Sequence, residues 1–270
     1  MIINGDARKE VKKLSNVQTI ITSPPYFNLR DYDCENQIGL ENNVDDYLKE
    51  LKEVFEACYE VLNKDGLLFV NIDDTYYYPR PREENKWGKA KKLGTFRPGI
   101  DKDERYKISS LMAIPEKMVL MLMDIGYIFR QRIVWQKPSC MPESVTNRFT
   151  KDFEMIYMFS KSKDYKFNQL KEPMLSDDLS RPRGSKGSLK AHSGSGVRKE
   201  QSLKTEYVRN MRSVWSITGK NTTEHRATFP DELAKRLIEC STDENDKVLD
   251  LFAGSFTTSS VAKKLNRKYV

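Results

Sequence analysis

Histidine and cysteine are scarce in this 270-residue chain, which holds two of the former and four of the latter. Cys34, Cys58, Cys140 and Cys240 form no CxxC pair, so neither a disulfide framework nor a zinc site is expected, and no metal. No run approaches the roughly 18 uninterrupted apolar residues of a membrane span. The opening MIINGDARKE lacks a basic segment followed by an apolar signal core. The chain therefore reads as soluble and cytoplasmic, without a membrane partner. With 38% apolar and 10% aromatic residues it is not disordered throughout, and its length suits one large domain or one domain carrying an insertion.

Acidic residues are outnumbered, and unevenly so. The net charge is +7, yet Lys161 to Arg212 alone carries thirteen Lys and Arg against six Asp and Glu, and Arg80 to Lys107 carries ten against five. The rest of the chain is net acidic. Positive charge confined to two polar stretches containing Gly, Pro and Ser suits a polyanion such as nucleic acid; solvated loops are the plainer alternative.

Apolar patterning gives an alternation of strands and helices. Met1 to Gly5 and Val17 to Ile21 are short β-branched runs, the second closed by Thr22-Ser23-Pro24-Pro25-Tyr26. Leu48, Leu51, Phe55, Cys58 and Leu62 recur at helical spacing, and Asn63-Lys64-Asp65-Gly66 predicts a stop before the strand Leu67 to Ile72. A helix opened by Pro115 and strands at Tyr127 to Trp135 and Glu154 to Phe159 follow. From Ser160 to about Arg212 the composition turns to Lys, Ser and Gly, with a short strand expected at Tyr165 to Phe167. Three parts are expected: 1–160, an insertion at 161–215, and 216–270. In the last, a helix at Asp231 to Cys240 precedes a strand from Lys247, a small-residue loop and a second helix.

In a doubly wound sheet, ligands bind beyond the carboxyl ends of the strands. Asp6, Thr22 to Tyr26, Asp73 with Asp74, and Asp250 to Thr258 all follow apolar runs, so such a sheet brings them to one rim. The FxG loop at Phe252 is weak on its own, because a tight strand-to-helix turn has the same look. Thr22-Ser23-Pro24-Pro25-Tyr26 is more specific. Two prolines hold the backbone extended and remove two donors, leaving the Ser23 hydroxyl and neighbouring carbonyls as fixed acceptors beside an aromatic face. Acceptors aimed at both hydrogens of a conjugated amine draw its nitrogen toward tetrahedral geometry and free the lone pair. Asp73 with Asp74 reads first as a strand-end turn, His225 and His192 as non-catalytic, and Trp135 and Trp215 as core or hinge aromatics.

These residues resemble the amino-group DNA methyltransferases in the β arrangement of their motifs. TSPPY is similar to that family's catalytic motif, and its leading Ser is typical of cytosine-N4 members. FAGSFTT at 252–258 resembles the cofactor motif FxGxGTT, and HRATFPDELAKRLI at 225–238 the helix motif at the cofactor's methionine end. Trp135-Gln136-Lys137-Pro138, Met141-Pro142-Glu143 and Ser213-Val214-Trp215 also match recurrent segments.

The resemblance implies a mixed seven-stranded α/β sheet of the S-adenosylmethionine-dependent methyltransferase type, circularly permuted, with an inserted basic recognition region. Met1 to Gly5 would be its third strand, Val17 to Ile21 its fourth, Leu67 to Ile72 its fifth, Lys247 to Leu251 its first, and Lys268 onward its second. Tyr127 to Trp135 and Glu154 to Phe159 supply the other two, one of them antiparallel. S-adenosyl-L-methionine is the implied cofactor, with Asp6, Thr22, Phe229, Pro230, Asp250, Phe252, Ala253, Gly254, Ser255 and Thr257 around it. Ser23, Pro24, Pro25 and Tyr26 are the implied catalytic residues. Arg181, Arg183, Lys186, Lys190, Arg198 and Lys199 are expected to meet duplex DNA.

The implied activity is sequence-specific methylation of cytosine N4 on a flipped-out base, by direct transfer, as the modification half of a restriction–modification system with a cognate endonuclease. Methylation of the adenine 6-amino group is the alternative within the class, and a catalytically impaired DNA-binding relative the alternative outside it. The chain is expected to be a monomer or homodimer. Two departures stand out. Phe256 replaces the motif's second glycine. The sequence also stops at Val270, before the acidic residue that usually holds the ribose, so that another residue does this, the chain is truncated, or cofactor binding is impaired.

Overall fold

A computed structural model describes residues 1–32, 34–79, 99–140, 142–173, 208–219 and 229–270. Its centre is β1 (Val17–Thr22), buried at every position and paired in parallel with β2 (Leu62–Ile72) on one side and β8 (Lys247–Leu249) on the other. A strand buried on both faces needs apolar or β-branched residues throughout, and VQTIIT comes close. Its one exception, Gln18, bonds with Asn63, and the Thr19 Oγ1 donates to the Leu67 carbonyl. Outward from β2 lie β4 (Phe153–Ser160), β3 (Ile128–Gln136) and β7 (Val214–Ser216), and outward from β8 lies β9 (Lys268–Tyr269). Only β4 runs against its neighbours, being antiparallel to both β2 and β3.

The seven-stranded mixed sheet agrees with the expectation, but one strand differs. Met1 to Gly5 is exposed and forms no strand; it meets the sheet edge through the Met1 amino group, which donates to the Tyr269 carbonyl at 2.8 Å. The seventh strand is β7, added to the opposite edge in parallel with β3 and closed by the Trp135 indole donating to the Ile217 carbonyl at 2.9 Å. Burial decides between the two segments: Trp215 is 6% exposed, whereas Ile2 is 62% exposed.

Helices cover both faces. α1 (Ala7–Glu10) is a single turn capped by Asp6, and α2 (Val44–Val61) is capped by the Asn43 side chain on the Asp46 N–H. The buried stripe of α2 centres on Tyr47, Leu51, Phe55 and Cys58, with Leu48 only partly covered. α3 (Ile114–Ile125) has Pro115 in its first turn and Gly126 at its end, where φ is +118°. It shares one core with α2, Ile20, Leu68 and Val70; the alternate residues Ile21, Leu67 and Phe69 are buried outside that core. α4 (Asp231–Ser241) and α5 (Thr257–Lys264) pack together, and α4 lies against β1.

Two local expectations are corrected. Asn63 to Gly66 is no separate turn, because β2 starts directly after α2 and absorbs these residues in a register shift. Gly66 suits this by lacking a side chain: a Cβ there would meet the Leu62 side chain at 2.7 Å and the Gln18 carbonyl at 2.9 Å. Tyr165 to Phe167 forms no strand; Lys166 N–H donates to the Asp65 carbonyl and Tyr165 sits under Arg130.

The chain divides into two units, Met1–Asn168 with Ser213–Val270, and Gln169–Arg212. Lys161–Asn168 and Ser213–Trp215, grouped above with the insertion, belong to the larger unit. In the smaller one, β5 (Lys171–Pro173) pairs with β6 (Val208–Asn210), and Glu172 binds Arg209 and Arg212. Among the described residues no helix is long and apolar enough to cross a membrane.

Candidate active site

Because β1, β2 and β8 are parallel neighbours, their carboxyl ends open on one rim, and antiparallel β4 brings its amino end there too, with Ile72 opposite Met155. Ser23-Pro24-Pro25-Tyr26 leaves β1 at this rim with Pro24 buried and the other three partly covered. Tyr47 of α2 donates its hydroxyl to the Pro25 carbonyl at 2.8 Å. Gly39, at φ +101°, lies so close that a Cβ would stand 3.2 Å from the Tyr26 carbonyl and from the Pro25 ring. The segment is thus clamped from two sides.

The Tyr26 hydroxyl donates to Glu154 Oε2 at 3.0 Å, and the other Glu154 oxygen binds Lys137, whose ammonium lies 4.4 Å from the Trp135 ring centre. Asp73, at the end of β2, binds Lys151. Burial, then the negative charge of Glu154 and Asp73, raises the Tyr26 phenol well above its ordinary range, and a hydrogen bond with Ser23 opposes this. Burial also raises Asp73, against the pull of Lys151. Asp74 is structural: it accepts from the Ala113 and Ile114 N–H groups at the start of α3. Glu154, Lys137, Lys151 and Tyr47 extend the set read from sequence, which already placed Asp73 at this rim. Glu154 is 128 residues from Tyr26 in the chain, and only the antiparallel pairing of β4 carried that signal.

A cavity of about 250 Å³ opens at the end of β8, bounded by Asn4, Asp250, Ala253, Gly254, Phe256 and Ser259 among others. Burial lifts Asp250 to about 6, opposed by hydrogen bonds from Thr258, the Phe252 N–H and Thr22. Thr22 Oγ1 is fully buried and meets no partner at full hydrogen-bond geometry. Ser255 and Thr257 hydroxyls are 3.1 Å apart at the start of α5. Phe256 caps that helix at φ +59°, the left-handed conformation that a glycine adopts without strain, and its ring is 45% exposed.

Of the expected ligand residues, Asp250, Ala253 and Gly254 border this cavity, while Asp6, Thr22, Phe229, Pro230, Phe252, Ser255 and Thr257 do not. Asp6 accepts from Arg8, which holds its carboxyl below the usual range, and Asn4 rather than Asp6 borders the cavity. Phe229 packs edge-on to Trp135 at 6.3 Å, and Pro230 is buried at the start of α4. Arg181, Arg183, Lys186, Lys190, Arg198, Lys199, Met141, His192 and His225 lie outside the described residues. Trp135 and Trp215 are core aromatics. No metal-binding cluster occurs among the described residues.

A family model described as DNA methylase, of the N6/N4 methyltransferase type, matches residues 17–270. The type II methyltransferase M.SmaI of Serratia marcescens is 34% identical over 278 aligned residues, covering 100% of this chain and 84% of that protein. M.Cfr9I of Citrobacter freundii is 35% identical over 277, covering 100% and 81%. Among solved structures, the PvuII DNA methyltransferase (cytosine-N4-specific) superposes with a TM-score of 0.63 at 16% identity, covering 98% of this chain and 78% of that one. A DNA modification methylase of Thermus thermophilus, TTHA0409, complexed with S-adenosyl-L-methionine, gives 0.58 at 20%, covering 98% and 84%. The structural likenesses show the fold, and the sequence matches across the chain show the kinship: this chain belongs to the N6/N4 DNA methylase family.

Proposed function

We propose that this chain transfers a methyl group from S-adenosyl-L-methionine to the N4 amino group of cytosine in duplex DNA, at one recognition sequence, as the modification partner of a restriction endonuclease. The observation that carries this reading is the Ser23-Pro24 pair leading into the clamped Pro25-Tyr26 segment, one strand from the cavity that ends β8. The residues there fit the cofactor. Asp250 offers a carboxylate to a cationic ligand, Asn4 and Ser259 offer polar edges, and the small residues Ala253 and Gly254 let a ligand approach the backbone. The buried Thr22 hydroxyl lies beside the Asp250 carboxylate, between the two sites.

When bound, S-adenosyl-L-methionine supplies an electrophilic methyl group on sulfonium sulfur. The chain's own residues prepare the nucleophile. Ser23 Oγ and the Pro24 carbonyl accept the two amino hydrogens of a flipped base, so its nitrogen presents a lone pair. Tyr26, its hydroxyl tied to Glu154, offers its ring face to the base. No covalent intermediate is required. Cytosine is favoured over adenine by the Ser that leads the motif, and the fold neighbour named as cytosine-N4-specific agrees.

The test is mass spectrometry of nucleosides from unmethylated mixed-sequence duplex DNA incubated with the chain and the cofactor. 4-Methylcytosine is expected; 6-methyladenine in its place reassigns the base. Neither product, with duplex binding retained, reassigns the chain as an impaired relative. Ser23→Ala should lower turnover by about 100-fold or more, the scale of losing an aligned acceptor, with cofactor affinity unchanged. Unchanged turnover removes Ser23 from the mechanism.

A further inference from the structure

Phe149 is 97% exposed, more than any other large apolar side chain among the described residues. Its backbone is not loose. The loop joining β3 to β4 is closed at its base by the Lys137 N–H donating to the Asp152 carbonyl at 2.6 Å. Arg148 binds Glu143 at 2.6 Å, donates to the Phe149 carbonyl and stacks 4.9 Å from the Tyr76 ring centre. Lys151, two residues beyond Phe149, binds Asp73, whose charge is felt by Tyr26. A fully exposed aromatic ring on a braced loop, tied to the Tyr26 site through Lys151 and Asp73, is costly in water and suits a stacking partner such as a base.

From this geometry we infer that Phe149 is a DNA wedge: its ring enters the duplex and fills the gap left in the base stack when the target base turns into the Ser23-Tyr26 site. The inference rests on the methyltransferase reading above and adds a residue that acts on the DNA rather than on the reacting amine. Extruding a paired base breaks its stacking and pairing, and an inserted apolar side chain replaces part of the lost stacking.

Mapping the methylated site on mixed-sequence DNA defines the oligonucleotide for the test. Turnover is then compared on the fully paired duplex and on one with an abasic site opposite the target, where extrusion is easy. Phe149→Ala should lose about tenfold or more on the paired duplex, the scale of one lost base–aromatic stack, and stay within about twofold of wild type on the abasic one. Phe149→Trp should restore the paired reaction. On binding, 2-aminopurine at the target position should brighten with wild type and less with Phe149→Ala. Equal losses on both duplexes, or none on either, overturn the wedge. A wild-type chain that methylates no site on the mixed-sequence DNA removes the methyltransferase reading, and the wedge with it.

Discussion

At Asp250 the environment works against the charge that the site needs. Its value of about 6 stands above the ordinary 3.8, so between these values the folded chain holds more protons than the unfolded one. This group's contribution to stability therefore declines as pH rises through that window and is level above it. A cationic cofactor reverses the preference by favouring the carboxylate. S-adenosyl-L-methionine affinity should thus fall as pH drops below about 6, with proton release on binding, as calorimetry on either side of that value would register. An affinity flat across the range places the cation away from Asp250. Phe256 is the second informative residue, since at φ +59° its Cβ opposes the backbone. Phe256→Gly should raise stability by about 1 kcal/mol in a thermal melt and tighten cofactor binding if the ring obstructs the cavity. Weakened binding would instead show that the ring packs on the ligand. The motif residues were legible because their chemistry lies in consecutive positions. Glu154 and Lys137 were not, because their link to Tyr26 exists only once β3 and β4 are paired with the sheet.

Elements carry the site by their ends. Asp74 is the cap of α3, and its two accepted N–H bonds tie the helix to the end of β2. Asp74→Ala should cost about 1 kcal/mol, or roughly 2–4 °C in melting temperature, without affecting Tyr26 directly; an unchanged melt would make this cap redundant. Five of the seven strands were legible as β-branched or apolar runs bounded by turn residues, and β9 through the family resemblance. The exception is physical. Met1 to Gly5 has the composition of a strand but meets the edge through one hydrogen bond, whereas Val214-Trp215-Ser216 is too short to read as a strand and is held by one buried indole. Sequence shows propensity, whereas edge pairing depends on what the neighbouring strand leaves open.

For the molecule as a whole, charge is divided between the fold and its ligand. Arg209 and Arg212 share Glu172, and Lys166 is bound by Asp243 and Asp246, so part of the basic stretch is already neutralised. Arg181, Arg183, Lys186 and Lys190 are four of the six cations that sequence offers to DNA. Neutralising all four should weaken binding and reduce the slope of log affinity against log salt by roughly 3 to 4. A slope equal to wild type would move the phosphate contacts to other residues. The two-unit division at Gln169 and Arg212 could not be read from composition, which changes earlier, because the residues up to Asn168 are pinned to β2 and α4 by backbone bonds.

The hydrogen bond between Met1 and Tyr269 brings residues from the two ends of the sequence together on one sheet edge. Joined there by a short linker, the polypeptide becomes a ring around the same sheet, and where the ring is cut decides only which motif is translated first. A cut in the loop between β4 and β5, with the old ends fused, would put the FAGSFTT loop ahead of TSPPY in the gene while leaving every strand beside its present neighbours. Motif order is then a property of the gene and not of the catalyst.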